Sequence, residues 1–80
     1  MVEEGAEVVD SILMAGAVVR RGAKVLYSIV DENTVIESGA VVGEEREKSA
    51  GIAVLGRNIT IGAGAQVAGG QILDKDYKGE

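Results

Sequence analysis

Eighty residues make one small domain, and at this length an ordinary globular core would bury only ~60–65% of the unfolded chain's surface. The chain contains no Cys and no His, which excludes disulfide staples and His/Cys metal sites, and its net charge of −5 gives no electrostatic footprint for nucleic acid or an anionic membrane. The 46% hydrophobic content, almost all Val, Ile, Leu and Ala with 12 Gly and no Phe, Trp or Pro, excludes low-complexity disorder and fits short strands broken by tight turns.

Met1-Val2-Glu3-Glu4-Gly5 has neither a basic n-region nor an apolar stretch, and no apolar run approaches the ~20 residues needed to span a bilayer. A cytoplasmic location and no membrane partner are the expectation. From Val2 onward the sequence repeats with a strict spacing of 17 residues. Val2, Val19 and Ile36 open three units; Gly5, Gly22 and Gly39 follow, then Ala6, Ala23 and Ala40, then Val8, Val25 and Val42. The second half of each unit agrees as well, Ser11 with Ser28, Ile12 with Ile29, Leu13 with Val30 and Val18 with Val35.

After Gly43 the charged run Glu44-Glu45-Arg46-Glu47-Lys48 interrupts the register. It resumes at Ile61, Gly64, Ala65 and Val67, each 25 residues after its counterpart, so the interruption is an eight-residue insertion. Working back from Ile61 aligns Leu55 with Val30 and Leu13, and Asn58 with Asn33 and Gly16. Aliphatic residues within a unit are separated by steps of about six, six and five residues, the three sides of a triangular coil. One aliphatic side chain per side points inward, and a small Ala or Ser fits the corner, where Gly tolerates backbone angles that other residues resist. Successive coils would stack at ~4.8 Å.

The expected fold is therefore all-β: a single-stranded left-handed β-helix of hexapeptide repeats with about four triangular coils. It spans residues 1–73 with a charged loop near 44–51, and residues 74–80 are expected to be a mobile tail. An amphipathic helix would pay ~1 kcal/mol for each interior glycine, and an antiparallel sandwich gives no reason for an in-register period. Both ends of such a prism carry unpaired strand edges that invite another chain. Val2 enters in mid-pattern, so further coils or another domain are expected before it.

Arg20, Arg21 and Lys24 on the second coil lie between Glu3, Glu4 and Glu7 one coil earlier and Glu37 one coil later, the pattern of a cross-coil charge ladder. Tyr27, two residues past an inward Val, is expected to face outward. Asp10 and Asp31 fall at different corners and do not form a catalytic pair. Gly62-Ala63-Gly64-Ala65 and Gly69-Gly70 read as repeat turns and not as a phosphate-binding loop.

The segments Val9-Asp10-Ser11-Ile12-Leu13-Met14-Ala15-Gly16-Ala17-Val18-Val19 and Tyr27-Ser28-Ile29-Val30-Asp31-Glu32-Asn33-Thr34-Val35-Ile36 resemble the C-terminal β-helix of bacterial ADP-glucose pyrophosphorylase. So does the charged insertion followed by Gly51-Ile52-Ala53-Val54-Leu55-Gly56-Arg57-Asn58. Ala15 stands where that family usually has Pro, and Arg20 where it usually has Gly. The resemblance implies a glucose-1-phosphate adenylyltransferase, which makes ADP-glucose and pyrophosphate from ATP and glucose 1-phosphate for glycogen synthesis. Catalysis with Mg and ATP would belong to a separate nucleotide-binding domain, so no catalytic, metal or cofactor-binding residue is expected in this piece.

The same resemblance implies contacts to the protein's own catalytic domain and within a homotetramer through the coil edges, and part of a site for a phosphorylated sugar effector. Arg57, which follows the Gly-Ile segment, is the first candidate for that effector, with Arg46 and Lys48 beside it, because guanidinium groups offer paired donors to phosphate oxygens. Arg20, Arg21 and Lys24 are further cations. A regulatory non-catalytic paralogue and a stand-alone assembly module remain open as alternatives. A hexapeptide acyltransferase is disfavoured because its general base would be a His.

Overall fold

The computed structural model describes residues 1–79. Eleven short strands run in chain order: β1 (Glu7–Val9), β2 (Ile12–Leu13), β3 (Val18–Val19), β4 (Lys24–Leu26), β5 (Ser28–Val30), β6 (Val35–Ile36), β7 (Val41–Gly43), β8 (Ala53–Leu55), β9 (Thr60–Ile61), β10 (Gln66–Val67) and β11 (Ile72–Leu73). Every third strand pairs with its predecessor, always in parallel, to give three sheets. The first sheet holds β1, β4, β7 and β10; the second β2, β5, β8 and β11; the third β3, β6 and β9, flanked by single bridges from Val2 to Val19 and from Tyr77 to Ile61. The chain thus winds through four three-sided coils, the hexapeptide-repeat β-helix that its period demands.

The register follows the 17-residue spacing on the first two steps, Val8 beside Val25 beside Val42, and Val19 beside Ile36. Beyond the insertion it changes to 25, Ile36 beside Ile61 and Val42 beside Val67. Val19, Val25, Val30, Ile36, Val42, Leu55 and Ile61 all point into the prism with no exposed surface, and Ala23, Ala40 and Ala53 fill corners equally buried. Burying such side chains contributes roughly 1.5–3 kcal/mol each, which is how a chain without aromatic core residues holds together.

Two buried corner hydroxyls are satisfied by the backbone. Ser28 Oγ donates to Leu26 O at 2.7 Å, and Thr34 Oγ1 donates to Gly56 O one coil onward. The corner between the second and third sheets carries Gly16, Asn33 and Asn58 in stacked positions, all in the left-handed region with φ of 76°, 58° and 58°. Asn is the side chain most tolerant of that conformation after Gly, so the recurrence of Asn and Gly here is a backbone requirement.

The sequence repeat fades near Val67, yet the pairing continues. Ile72 and Leu73 lie beside Val54 and Leu55 at a spacing of 18, and Tyr77 beside Ile61 at 16. Residues 74–79, expected as a mobile tail, run along β9. Tyr77 N donates to Thr60 O at 3.0 Å, Gly62 N donates to Tyr77 O at 2.7 Å, and Asp76 Oδ1 accepts from Thr60 N at 2.9 Å. Tyr77 packs on the core and Gly79 lies against Ala65, so this end of the prism is covered over β9 and Ala65, while β10 and β11 are edge strands. Glu80 lies outside the described residues. At the opposite end, Met1, Val2 and Val9 are exposed, and inward Val8 and Leu13 are only half-buried.

Candidate functional site

The charge ladder forms on the outer surface of the third sheet and at the edge of the first. Arg20 spans two coils, with its Nη1 3.1 Å from Glu3 Oε2 and its Nε 3.6 Å from Glu37 Oε1, while Lys24 Nζ lies 3.6 Å from Glu7 Oε1. The backbone N–H of Arg21 donates to Glu3 Oε1 at 2.9 Å. That hydrogen bond first, and the Arg20 side chain second, hold the Glu3 carboxyl below its ordinary range. Arg20 and Lys24 are therefore occupied by carboxylates, and Arg21 presents its guanidinium at an exposed turn.

Arg46 and Lys48 lie in the insertion, which leaves β7 at Gly43 and returns through Ser49 and Gly51 to β8. Arg46 stacks over the Tyr27 ring, its guanidinium carbon 5.9 Å from the centroid, and Lys48 Nζ is 3.4 Å from Glu45 Oε1 in the same loop. Tyr27 sits at a corner with φ of 48° and serves as the platform on which the loop rests. The loop's return is seated by small residues: Ser49 lies so close to Gly69 that a side chain there would collide with it.

Arg57 occupies a different corner, the turn between β8 and β9, beside Asn58. Its side chain is exposed and makes no ion pair among the described residues. Glu32 stands one coil earlier, where its carbonyl accepts from Asn58 N at 2.9 Å, and Asp74 packs one coil later against Gly56. The structure therefore brings Arg46 and Lys48 together on one border of the second sheet and sets Arg57 on the other. By the spacing of 18 that sets Leu73 beside Leu55, Lys75 falls one coil later at the position of Arg57, so this corner carries a second cation, with Glu32 on its other side.

Two shallow clefts open on the first sheet, on either side of the insertion's base. One is lined by Val41, Gly43, Glu44, Gln66, Val67 and Ala68, the other by Glu7, Val9, Lys24, Leu26 and Glu45. Neither contains Arg57, Arg46 or Lys48; the first is lined by Glu44 and no cation, and in the second Lys24, paired with Glu7, also meets Glu45, so neither attracts phosphate. Among the described residues no set of three His, Cys, Asp or Glu side chains is placed to hold a metal. Among the described residues no buried side-chain polar atom lacks a hydrogen-bond partner.

One surface feature was not singled out from the sequence. Ile12, Ile29, Val54 and Ile72 occupy one register position on β2, β5, β8 and β11 and face outward as a continuous aliphatic ladder. Its signal was present, since each residue immediately precedes an inward Leu or Val of the repeat.

Comparison with known proteins agrees with this architecture. The family model described as GlmU-like, C-terminal hexapeptide, matches residues 1–52. Glucose-1-phosphate adenylyltransferase of Corynebacterium diphtheriae is 38% identical over 69 residues, which cover 76% of this chain and 16% of that protein. The enzyme of the same name from Corynebacterium jeikeium is 30% identical over 69 residues, covering 76% of this chain and 17% of the relative. The match thus spans about one sixth of the length of these curated relatives. No solved structure matches.

Proposed function

The chain belongs to the GlmU-like C-terminal hexapeptide family, and from that premise we propose that it is the C-terminal oligomerisation and effector domain of a glucose-1-phosphate adenylyltransferase. The observation that carries this reading is the 38% identity to the Corynebacterium diphtheriae enzyme across 76% of the chain. The adenylyl transfer that yields ADP-glucose for glycogen synthesis is the work of a separate domain, with Mg and ATP bound there. This module contributes a stiff prism whose parallel pairing runs unbroken through four coils.

Its open first coil supports the contact role. Unpaired edges of β1 and β2, half-buried Val8 and Leu13, and exposed Met1, Val2 and Val9 leave apolar surface and backbone groups to be matched by the protein's own catalytic domain or by another subunit. At the other end Tyr77 and Gly79 cover the part of the prism over Ile61 and Ala65. For the effector, Arg57 is the favoured residue. It is an exposed arginine with no ion pair among the described residues, whereas Lys48 is engaged with Glu45 and Arg46 with Tyr27. A guanidinium not already bound to a carboxylate is the cheapest to recruit to a phosphate.

The test is isothermal titration of the folded chain with fructose 1,6-bisphosphate, AMP and sulfate. Heat from the sugar bisphosphate that is lost in Arg57→Ala and retained in Arg20→Ala supports the effector role. Absence of heat with all three ligands removes Arg57 from that role in this chain, and leaves a module whose function is contact alone.

A further inference from the structure

We propose that residues 74–79 form a displaceable strap, which opens as a unit while the prism stays folded, and that the β9 edge beneath it is a latent acceptor for an extended chain segment. On the two preceding coils the inward residues of the second and third sheets are six apart, Val30 to Ile36 and Leu55 to Ile61. The corner between them turns on a left-handed Asn, Asn33 or Asn58. From Leu73 to Tyr77 the step is four, and no residue between them has a positive φ. The strap therefore cuts across a corner that the earlier coils follow.

The shortcut costs a backbone acceptor. Val18 N donates to Thr34 O and Val35 N to Ile59 O, each at 2.9 Å, so the first N–H of a third-sheet strand is satisfied by the last carbonyl of the next coil's corner. The strap offers no such carbonyl to Thr60 N, and Asp76 Oδ1 accepts from it instead, also at 2.9 Å. A carboxylate thus imitates the backbone at one point. The regular pattern then returns, since Gly62 N donates to Tyr77 O as Arg20 N does to Ile36 O and Glu37 N to Ile61 O.

Little else holds the strap. Among the described residues its hydrogen bonds to the prism are these two and the one from Tyr77 N to Thr60 O, and none of its side chains joins an ion pair. Tyr77 alone is half-buried on the core, and the other five residues are exposed. By contrast β9 pairs with β6 along its length, and Ile61 has no exposed surface. The free energy of a local opening follows the bonds and apolar contacts that must break, so the strap lies at the low end and β9 at the high end.

Opening frees Thr60 N, Thr60 O and Gly62 N, the alternating groups on which strand addition is built. The resident strap defines what fits them: an extended peptide running parallel to β9, with a carboxylate or carboxamide side chain immediately followed by an aromatic one. This inference goes beyond the effector reading and does not depend on it.

Native-state hydrogen exchange of the full chain, followed by NMR, tests the strap. The amides of Thr60, Gly62 and Tyr77 are expected to exchange together, on the order of 100-fold faster than those of Val35 and Glu37, whose acceptors lie inside the stack. Asp76→Ala should speed Gly62 and Tyr77 about 10-fold as well as Thr60, because the lost bond loosens the whole unit. Asp76→Asn, which keeps an oxygen acceptor, should restore the parent rates, and Val35 and Glu37 should not change in either variant. Exchange of the three amides at the rate of Val35 in the parent chain overturns the proposal. An acceleration confined to Thr60 overturns it equally, since Asp76 would then be a local partner and not part of a latch. The acceptor role is read in the full chain carrying Asp76→Ala and Tyr77→Gly, with a peptide of the sequence Asp74 to Gly79 added at about 1–10 mM, the effective concentration of a short tether. Shifts of the Thr60 and Gly62 resonances are expected; their absence, with Val35 still protected, removes the acceptor role.

Discussion

Replacing Ile36 by alanine removes about three methylene equivalents from the middle of the prism, where the side chain has no exposed surface and lies between Val19 and Ile61 of the adjacent coils. At ~0.8 kcal/mol per buried methylene the transfer loss is about 2.4 kcal/mol, and the cavity left between two β-structured neighbours raises the total to roughly 3–4 kcal/mol. Native stability for an 80-residue chain is about 4–12 kcal/mol at ~0.05–0.15 kcal/mol per residue, so one substitution removes about a quarter of it or more. Leu13→Ala makes a similar chemical deletion at the open first coil, where the residue is half-buried, and should cost less than about 1.5 kcal/mol. Urea titration followed by far-UV circular dichroism measures both in one experiment, with the slope checking that each variant unfolds in two states. Equal losses at Ile36 and Leu13 would refute the reasoning, because they would mean that the first coil is as enclosed as the third.

Three further outcomes are expected. Gly43→Ala should destabilise by roughly 3 kcal/mol or more, because a side chain there collides with the Leu26 carbonyl oxygen at φ of 79°, whereas Gly64→Ala, at φ of 71° with open space beside it, should cost about 1–2 kcal/mol; thermal melts of the two variants rank them. Deleting residues 44–51 should bring the step across the insertion back to the 17-residue register, since 25 less 8 is 17, and change stability by only about 1 kcal/mol, the exposed Lys48–Glu45 and Arg46–Tyr27 contacts contributing little; scanning calorimetry of the shortened chain checks it. Glu3 has its carboxyl pKa depressed in the folded chain, so its contribution is present above the unfolded value and lost as pH falls below about 4.5 and through the folded pKa. Glu3→Gln should flatten that acid-side fall in the urea midpoint; a fall that keeps its slope would exclude Glu3 as its source.

The fold was legible because its cause is periodic. Inward Val and Ile, corner Ala and left-handed Gly recur at one spacing, and each is required by the same step of the coil, so three repeats suffice to fix the register. The end of the last coil, beyond Leu73, was not legible for the converse reason: the spacings drift to 18 and 16, and the inward position beside Ile61 is taken by Tyr77, which no earlier unit announces. Backbone pairing continues there because strand edges accept any side chain that the space at the prism's end accommodates. Tyr, too large for the interior, fits where only one side is packed.

Side-chain partnerships outside the prism were legible only where they follow the repeat. Stacking makes Glu3, Arg20 and Glu37 neighbours by arithmetic, and the ion pairs form as that arithmetic requires. Arg46, Lys48 and Arg57 are separated by nine to eleven residues or fewer along the chain, but the coil turns between them, so proximity in sequence becomes two corners in space. The aliphatic ladder shows the opposite failure. Its residues repeat as faithfully as the core, and the same six-six-five steps that put Leu13 and Val30 inside put Ile12 and Ile29 outside. The step of the coil decides, and it leaves Ile12, Ile29, Val54 and Ile72 in one stripe on the outer surface of the second sheet.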